Sequence, residues 1–384
     1  MTVTAASATS ALSSALSLRI TRIESIPVAL PPQRLYRISQ GADETGQFVL
    51  VRVETDAGLD GWGEANPQVF FSGDSVESVK ATIDHYLAPA LLGANPLAIE
   101  AAVRTMDAAV KHQPYAKAAV EFALWDVAGK ALGLPVHALL GGPVRDQVAA
   151  NQGIGISTPE DMAQQALAAV EAGFGVVKLK VGLDPRQDLV NVRAVREAIG
   201  DRASIRVDAN QAYPTERAIK LLRRMDEAVD LELVEQPVAA WDLEGMARVC
   251  DALDVPILAD ESLFGLEDAV RLVRTGAADL FNIKTQKMGG LLRSRQVAAV
   301  AEGAGIGCLV GSMGESGPGK AADLHFAAAT AAITYPSAFG HHPRVASIIS
   351  QPIVARGGFV QLLSAPGLGV DIDQQVLARA RLDR

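Results

Sequence analysis

Two lysines and three acids recur at a nearly constant interval in the second half of the chain, and their types suit metal-assisted proton transfer. Lys180, Asp208, Glu235, Asp260 and Lys284 follow one another at spacings of 24 to 28 residues. Three carboxylates share one site only when a cation offsets their mutual repulsion, and hard oxygen ligands suit Mg²⁺, with Mn²⁺ as an alternative. The sequence therefore predicts a magnesium site formed by Asp208, Glu235 and Asp260.

The lysines on either side of this triad are candidate bases. A lysine acts as a general base near neutral pH only when its pKa is lowered, and a second ammonium or a divalent cation nearby lowers it. Lys178 and Lys180 are two residues apart, so on a strand they share one face. We expect Lys178 to supply the charge that tunes Lys180, and Lys284 to act from the opposite side of the site.

These residues converge only if the elements that carry them form a closed barrel. From residue 141 onward, short apolar strands alternate with amphipathic helices, which indicates an α/β fold with a parallel sheet. We predict eight strands, at 148–154, 175–180, 204–208, 231–235, 255–260, 280–284, 306–312 and 332–339. Such a repeat favours a barrel, in which reactive groups lie at the carboxyl ends of the strands. Each of the five charged residues ends one of these strands.

The remainder of the chain predicts a second unit beside the barrel at 141–340. Residues 18–140 begin with strand-like patterns and continue with helical ones, which is typical of an α+β domain. We expect this domain to cap the barrel, and the last segment, 341–384, to pack back on it. Residues 1–17, rich in Ala, Ser and Thr, are interpreted as a disordered tail.

The composition excludes several classes of function. With 35 basic and 44 acidic side chains the net charge is −9, and no Lys/Arg run occurs, so nucleic acid is not an expected partner. No apolar stretch is long enough to span a bilayer, so no membrane partner is expected either. Two cysteines, Cys250 and Cys308, exclude a disulfide framework and favour a cytoplasmic setting. The six histidines form no HExxH motif, so oxygen ligands are expected for any metal.

The motifs resemble those of the enolase superfamily, and within it the muconate lactonizing enzyme subgroup related to mandelate racemase. That pattern has Lys-x-Lys on the second strand, Asp, Glu and Asp metal ligands on strands three to five, and a lysine on strand six. Supporting stretches are Asp60-Gly61-Trp62-Gly63-Glu64, Leu139-Leu140-Gly141-Gly142 and Lys287-Met288-Gly289-Gly290. The resemblance implies a (β/α)7β modified TIM barrel with an α+β capping domain that the C-terminal segment completes.

The resemblance also implies a mechanism and roles for particular residues. It implies Mg²⁺-dependent removal of the proton α to the carboxylate of a small-molecule substrate, with the enolate stabilised by the metal. Lys180 and Lys284 would form the acid/base pair on opposite faces of the substrate. Asn210 and Glu261 would support the metal ligands from behind. Related proteins are commonly homo-oligomers, and a homo-oligomer is expected here.

Substrate contacts are predicted from strand ends and from two loops of the capping domain. Glu315 follows strand seven, and Ser337 stands at the end of strand eight, where related enzymes carry acidic groups. His341 and His342 come directly afterwards and could contact an acidic substrate group. The loops at 33–46 and 67–74 are expected to close over the barrel and contribute the predicted contacts Arg37 and Phe70. These residues favour an anionic substrate that accommodates aromatic neighbours.

The sequence leaves the reaction outcome open among related chemistries. The leading hypothesis is an isomerase, either muconate-cycloisomerase-like or a racemase/epimerase of an amino-acid derivative. The alternative is a lyase catalysing syn β-elimination, of the o-succinylbenzoate synthase or hydroxyproline dehydratase type, with the same lysine pair. Dehydratases of the mandelate racemase branch are disfavoured, because strand seven has no histidine and strand six has Lys284. A Schiff-base aldolase and a non-catalytic acid-binding barrel are weaker alternatives.

Overall fold

A three-stranded antiparallel sheet begins the described part of the chain. The computed structural model describes residues 17–42, 44–341 and 346–383. The strands of this region are β1 (Ile20–Ala29), β2 (Arg37–Ile38), β3 (Gly41–Ala42), β4 (Gln47–Thr55) and β5 (Asp60–Ala65). The sheet has the order β1-β4-β5, and β2 and β3 form a small hairpin in the loop between β1 and β4. The predicted tail at 1–17 lies outside the described residues apart from Ser17.

Helices cover one face of this sheet. They are α1 (Val69–Ser72), α2 (Val76–Thr82), a π-helical turn (Ile83–Leu87), α3 (Ala88–Leu91), α4 (Ile99–Ala109), α5 (Pro114–Leu132) and α6 (Val136–Leu139). Most of α5 is buried, because β5 packs directly against it. Gly61 and Gly63 make this close approach feasible, since a Cβ at either position would collide with the backbone of α5.

Seven parallel strands form the curved sheet of the second unit. After β6 (Gln147–Ala149) come β7 (Gln152–Ile154), β8 (Val176–Lys180), β9 (Ser204–Asp208), β10 (Leu231–Glu235), β11 (Ile257–Ala259), β12 (Leu280–Ile283) and β13 (Gly307–Val310). Strands β7 to β13 pair in chain order. The helices between and after them are α7 (Pro159–Glu171), α8 (Pro185–Ile199), α9 (Thr215–Val229), α10 (Leu243–Ala252), α11 (Leu266–Thr275), α12 (Thr285–Met288), α13 (Leu291–Gly303) and α14 (Pro318–Ala329), with a 3-10 turn at Gly200–Arg202. The predicted (β/α)7β barrel is confirmed.

Inside the barrel, a layer of apolar side chains lies below a layer of charged ones. Leu233, Leu258, Leu280 and Leu309 pack together inside the barrel, with Tyr335 against them. Because side chains alternate along a strand, the residues two positions further along face the same interior, nearer the carboxyl ends. Glu235 and Asp260 occupy such positions, two residues beyond Leu233 and Leu258, and Lys284 follows Leu280 by four residues. The charged cluster thus lies directly against this leucine layer.

The first predicted strand, 148–154, is wrong as a single element. Its first part, β6, pairs antiparallel with β14 (Phe359–Gln361), and only β7 belongs to the barrel sheet. Between them, the Ala150 N–H donates to the Gly358 carbonyl and the Asn151 N–H donates to the Ser337 carbonyl. The chain therefore changes partners within a few residues.

The eighth predicted strand, 332–339, is also wrong as a regular strand. Single parallel bridges join Ile333 to Cys308 and Ser337 to Ala150, so this segment closes the barrel without a continuous ladder. Pro336 lies between the two bridges and has no N–H to donate, which interrupts a ladder. The barrel is closed at this point by an irregular segment rather than by an eighth strand.

The C-terminal segment returns to the capping sheet. Ile348, Ile349, Ile372 and Leu377 share one hydrophobic cluster with side chains of β1 and β4. The last helix, α15 (Gln374–Ala380), contacts β1, and Arg381 forms a bridge with Val28. Across the described ranges, no helix combines the length and apolarity that a bilayer span needs.

We predict that Gly63→Ala destabilises the protein by about 1–3 kcal/mol, because the added methyl collides with backbone atoms that belong to a packed helix. The urea denaturation midpoint measures this effect. Gly175→Ala is the matched control, since a Cβ there meets nothing within 4 Å. Equal midpoints for the two variants would contradict the tight β5–α5 contact.

Candidate active site

The charged residues predicted from the sequence meet at the carboxyl ends of neighbouring strands. Lys180 pairs in register with Asp208, and Asp208 pairs in register with Glu235. Asp260 follows β11 directly, and Lys284 follows β12. The three acids are fully buried, and Lys180 and Lys284 are 8% and 7% exposed. Elements that are far apart in sequence therefore bring all five residues into one shielded cluster.

Ion pairs connect each acid of the cluster to at least one lysine. Asp208 Oδ2 accepts from Lys180 Nζ at 2.6 Å and from Lys178 Nζ at 3.2 Å. Glu235 Oε2 accepts from the same Lys178 Nζ at 2.8 Å. Asp260 pairs with a different lysine: its Oδ2 accepts from Lys284 Nζ at 2.7 Å. The two candidate bases are thus anchored on different carboxylates, Lys180 on Asp208 and Lys284 on Asp260.

Lys287 is a further member of this cluster. Its ammonium lies 2.7 Å from Asp260 Oδ1 and also donates to the carbonyls of Asp260 and Asn282. The side chain is completely buried. The sequence analysis used Lys287 only as part of a supporting motif. Its position three residues after Lys284, one helical turn on, is a signal that both could face Asp260.

The lysines control the protonation of the buried acids. Burial alone raises the pKa of Asp260, but Lys284 and Lys287 outweigh it and hold the pKa well below its ordinary value. For Glu235, burial and the charge of Asp208 raise the pKa, and Lys178 offsets only part of this rise. Burial lowers the pKa of Lys178, yet the carboxylates of Glu235 and Asp208 outweigh burial and raise it well above its ordinary value. In this arrangement the four lysines supply the positive charge that three buried carboxylates require.

The acids themselves offer a donor set that fits a hard divalent cation. Within the described residues, no three acidic, histidine or cysteine side chains are grouped as a metal-binding cluster. However, oxygens of Asp208 and Glu235 already converge on one positive centre, the ammonium of Lys178. Carboxylate oxygens that can meet on one cation are the ligands that Mg²⁺ prefers. The residues present therefore fit the predicted metal, with Lys178 as the competing cation.

Asn210 and Glu261 extend the cluster behind Lys180. Asn210 Oδ1 accepts from Lys180 Nζ at 2.8 Å, and Asn210 Nδ2 donates to Glu261 Oε1 at 2.9 Å. Burial and the charges of Asp260 and Asp208 raise the pKa of Glu261 to about 8. The Asn210 N–H donates to Asp208 Oδ1, so this asparagine contacts both a base and a predicted metal ligand.

A cavity of about 250 Å³ opens above the lysines. Lys178, Lys180 and Lys284 line its floor together with Asn210. Its walls come from both the barrel and the capping domain, and include Tyr36, Gln68, Phe70, Phe71, Asn151, Gln152, Ser157, Ser312, Met313 and His341. Arg34 also lines the cavity, but it forms an ion pair with Asp161. Among the described lining residues none is acidic, so the cavity is suited to an anionic ligand.

The predicted substrate contacts divide into two groups. Phe70 and His341 line the cavity, and their contact with substrate stays a prediction. Arg37, Glu315 and Ser337 do not line it. His342 lies outside the described residues.

Arg37, Glu315 and Ser337 were expected to contact substrate, and the contacts of each residue explain why it does not line the cavity. Ser337 is fully buried, and its Oγ accepts from the Val310 N–H, which holds the closing segment to β13. Glu315 accepts from Ser312 Oγ at 2.5 Å and from the Met313 N–H at 2.7 Å, so its carboxylate is used within its own loop. The Arg37 side chain is exposed, and the Arg37 carbonyl contacts the barrel by accepting from the Ile156 N–H.

Comparison with known proteins identifies the family. A model of the mandelate racemase/muconate lactonizing enzyme N-terminal domain matches residues 21–141, and an enolase C-terminal domain-like model matches residues 161–376. The chain belongs to the enolase superfamily, in its muconate lactonizing enzyme subgroup. Family membership, together with the Mg complex of a similar epimerase, indicates a divalent metal.

Three solved structures of the enolase superfamily show how similar this member is to enzymes with different reactions, each at 34% sequence identity. The muconate lactonizing enzyme of Pseudomonas fluorescens, complexed with muconolactone, has a TM-score of 0.92 and aligns over 95% of this chain and 100% of its own. The N-succinyl Arg/Lys racemase of Bacillus cereus has a TM-score of 0.91, with coverages of 95% and 98%. The dipeptide epimerase of Enterococcus faecalis, complexed with Mg and L-Leu-L-Tyr, has a TM-score of 0.87, with coverages of 92% and 99%. This superfamily member is therefore an enzyme of an isomerase family.

We predict that Lys287→Met in this enolase-superfamily chain costs about 3–5 kcal/mol of folding stability, because it removes one partner of a fully buried ion pair at Asp260. Chemical denaturation at neutral pH measures the loss. Arg271→Met is the control. Arg271 is largely exposed, so the loss of its ion pair with Asp268 should lower the folding stability by less than about 1 kcal/mol. Similar losses in both variants would contradict a structural role for Lys287.

Proposed function

We propose that the protein is a Mg²⁺-dependent racemase or epimerase that exchanges the α-proton of a carboxylate substrate between two lysines. The observation that carries the proposal is the placement of Lys180 and Lys284. Both are buried, both line one cavity, and they are anchored on separate carboxylates, Lys180 on Asp208 and Lys284 on Asp260. A base on each side is what inversion at one carbon requires, because the proton leaves one face and returns to the other.

In the proposed mechanism the metal is held by Asp208, Glu235 and Asp260. When bound, Mg²⁺ supplies positive charge that offsets the negative charge developing on the substrate carboxylate. With their carboxylate partners neutralised, Lys180 and Lys284 would be released toward the cavity that both already line. Lys178 would keep its positive charge beside the acids, because the carboxylates of Glu235 and Asp208 outweigh burial and raise its pKa.

Proton transfer then uses the two released lysines in opposite protonation states. The neutral amine of one lysine takes the α-proton, and the ammonium of the other donates a proton to the opposite face. At the end of one turnover the substrate has the opposite configuration and the two lysines have exchanged protonation states. One proton leaves the substrate and one returns to it, and exchange of the lysine N–H protons with water restores the starting state for the next turnover.

The cavity favours an amino-acid derivative whose nitrogen carries no positive charge. Lys178, Lys180, Lys284 and His341 line it, and none of its described lining residues is acidic. A free ammonium group would meet only positive or neutral partners there, whereas an acyl-blocked nitrogen adds no charge. The relative with a blocked amino acid in its name, the N-succinyl Arg/Lys racemase, supports this class.

The cellular setting and the assembly predicted from the sequence remain proposals. Cys250 and Cys308 are both free thiols, which supports a reducing, cytoplasmic location. The homo-oligomer is proposed from the family alone.

We predict α-deuterium uptake when the Mg²⁺-loaded protein is incubated in D₂O with single enantiomers of N-acyl amino acids. NMR and chiral chromatography would follow exchange and inversion, with dipeptides, proline derivatives, muconates and hydroxy acids as comparison compounds. Lys180→Ala and Lys284→Ala should each abolish inversion, since one face loses its base. Inversion that survives in either variant would contradict the lysine pair, and a dehydrated or cyclised product would replace racemisation by elimination or cycloisomerisation.

We predict that Asp208→Asn, Glu235→Gln and Asp260→Asn each weaken Mg²⁺ binding by at least about tenfold, because each removes a charged oxygen ligand. Calorimetric titration with MgCl₂ measures this loss directly. Glu232→Gln is the matched control, since Glu232 lies on the same strand as Glu235 but pairs with Arg206. Wild-type affinity in any of the three variants would remove that residue from the metal site.

A further inference from the structure

The capping domain contacts the barrel next to Lys180 through its first loop, residues 33–46. Ser39 Oγ donates to the carbonyls of Ala209 and Asn210, at 3.0 Å and 3.2 Å. Gln40 Nε2 also donates to the Asn210 carbonyl, at 3.2 Å. Two side chains from a different domain therefore hold the peptide unit that follows Asn210.

These hydrogen bonds contact Asn210, whose backbone is strained and whose side chain contacts Lys180. Asn210 has a φ of +42°, a backbone conformation that non-glycine residues rarely adopt, so neighbouring contacts must maintain it. Its side chain accepts from Lys180 Nζ at 2.8 Å. A path of direct contacts thus runs from Ser39 and Gln40 through Asn210 to Lys180.

A separate contact of the capping domain reaches Lys284. Phe71, on α1, places its ring centroid 4.3 Å from Lys284 Nζ, a distance at which an ammonium is attracted to the ring face. The ring also lies 6.0 Å from the ring of Phe264, which orients it. Gln68, at the start of α1, donates to the Met313 carbonyl and so attaches this segment to the barrel.

We propose that the capping domain positions the two bases independently, Lys180 through Ser39, Gln40 and Asn210, and Lys284 through Phe71. The inference rests on the proposed function, since it assigns the two contacts to the two faces of the substrate. The residues named here act through the lysines and are positioning residues. Each of these contacts then positions one base for proton transfer.

Independent positioning of the two lysines predicts that a variant slows exchange of one enantiomer, whereas general damage to the fold would slow exchange of both. Each enantiomer presents its α-proton to only one lysine, so its exchange in D₂O without inversion reports on that lysine alone. The enantiomer that loses exchange in Lys180→Ala defines the Lys180 face, and Lys284→Ala defines the other. A positioning residue of one lysine should slow exchange of one enantiomer and leave the other near the wild-type rate.

The test compares the double variant Ser39→Ala/Gln40→Ala with Phe71→Leu, both loaded with Mg²⁺, using both enantiomers of the compound that the wild type exchanges fastest. We expect Ser39→Ala/Gln40→Ala to slow exchange at the Lys180 face by about fivefold or more, the effect of losing ordinary hydrogen bonds. Phe71→Leu should slow exchange at the Lys284 face by a similar factor. Each variant should keep the opposite face within about twofold of wild type.

Conservative variants and a binding measurement separate positioning from damage to the fold. Ser39→Thr keeps the hydroxyl and Phe71→Tyr keeps the ring, so both should restore face-specific exchange. Mg²⁺ affinity and the urea midpoint should stay at wild-type values in the properly folded variants. Equal slowing of both faces in Phe71→Leu and in Ser39→Ala/Gln40→Ala would overturn the inference while leaving the lysine pair intact. Absence of exchange with every compound in the wild type would instead contradict the proposed function.

Discussion

The need to balance three buried carboxylates with positive charge governs the rest of this structure. Asp208, Glu235 and Asp260 have no exposure to water, and isolated charges in such a place cost several kcal/mol each. Four lysines from β8 and from the turn after β12 offset that cost by direct ion pairs. The same ion pairs hold Lys180 and Lys284 beside the cavity, where the proposed proton transfer would need them.

Both domains shield the charged cluster from water and fix the positions of its side chains. The barrel supplies the charged groups above a leucine floor, and the capping domain covers them with Tyr36, Phe70 and Phe71. Glu64 of β5 accepts from the N–H groups of Ser316, Gly317 and Gly319, and this buried contact attaches the cap beside the cavity. Specific hydrogen bonds of this kind, rather than apolar packing alone, determine where the cap meets the site.

Residues near the cavity show why a shared fold supports different reactions. The muconate, racemase and epimerase relatives have closely similar folds. The walls come from loops, where substitutions change charge and shape without altering the strands. At the end of the barrel, Ser337 replaces an expected acid and is buried in the wall, which leaves the cavity without acidic lining among its described residues.

The sequence by itself determined the barrel, the family and the cluster of acids and lysines, because strand periodicity and the interval of one βα unit are local properties. Tertiary structure alone decided which groups face the cavity: Glu315 folds onto its own loop, Ser337 closes the barrel, and Phe71 lies over Lys284. It also decided that the eighth strand is irregular, since pairing around Pro336 depends on partners far away in the chain. The contact between Phe71 and Lys284 joins residues more than 200 positions apart, and no local pattern encodes it.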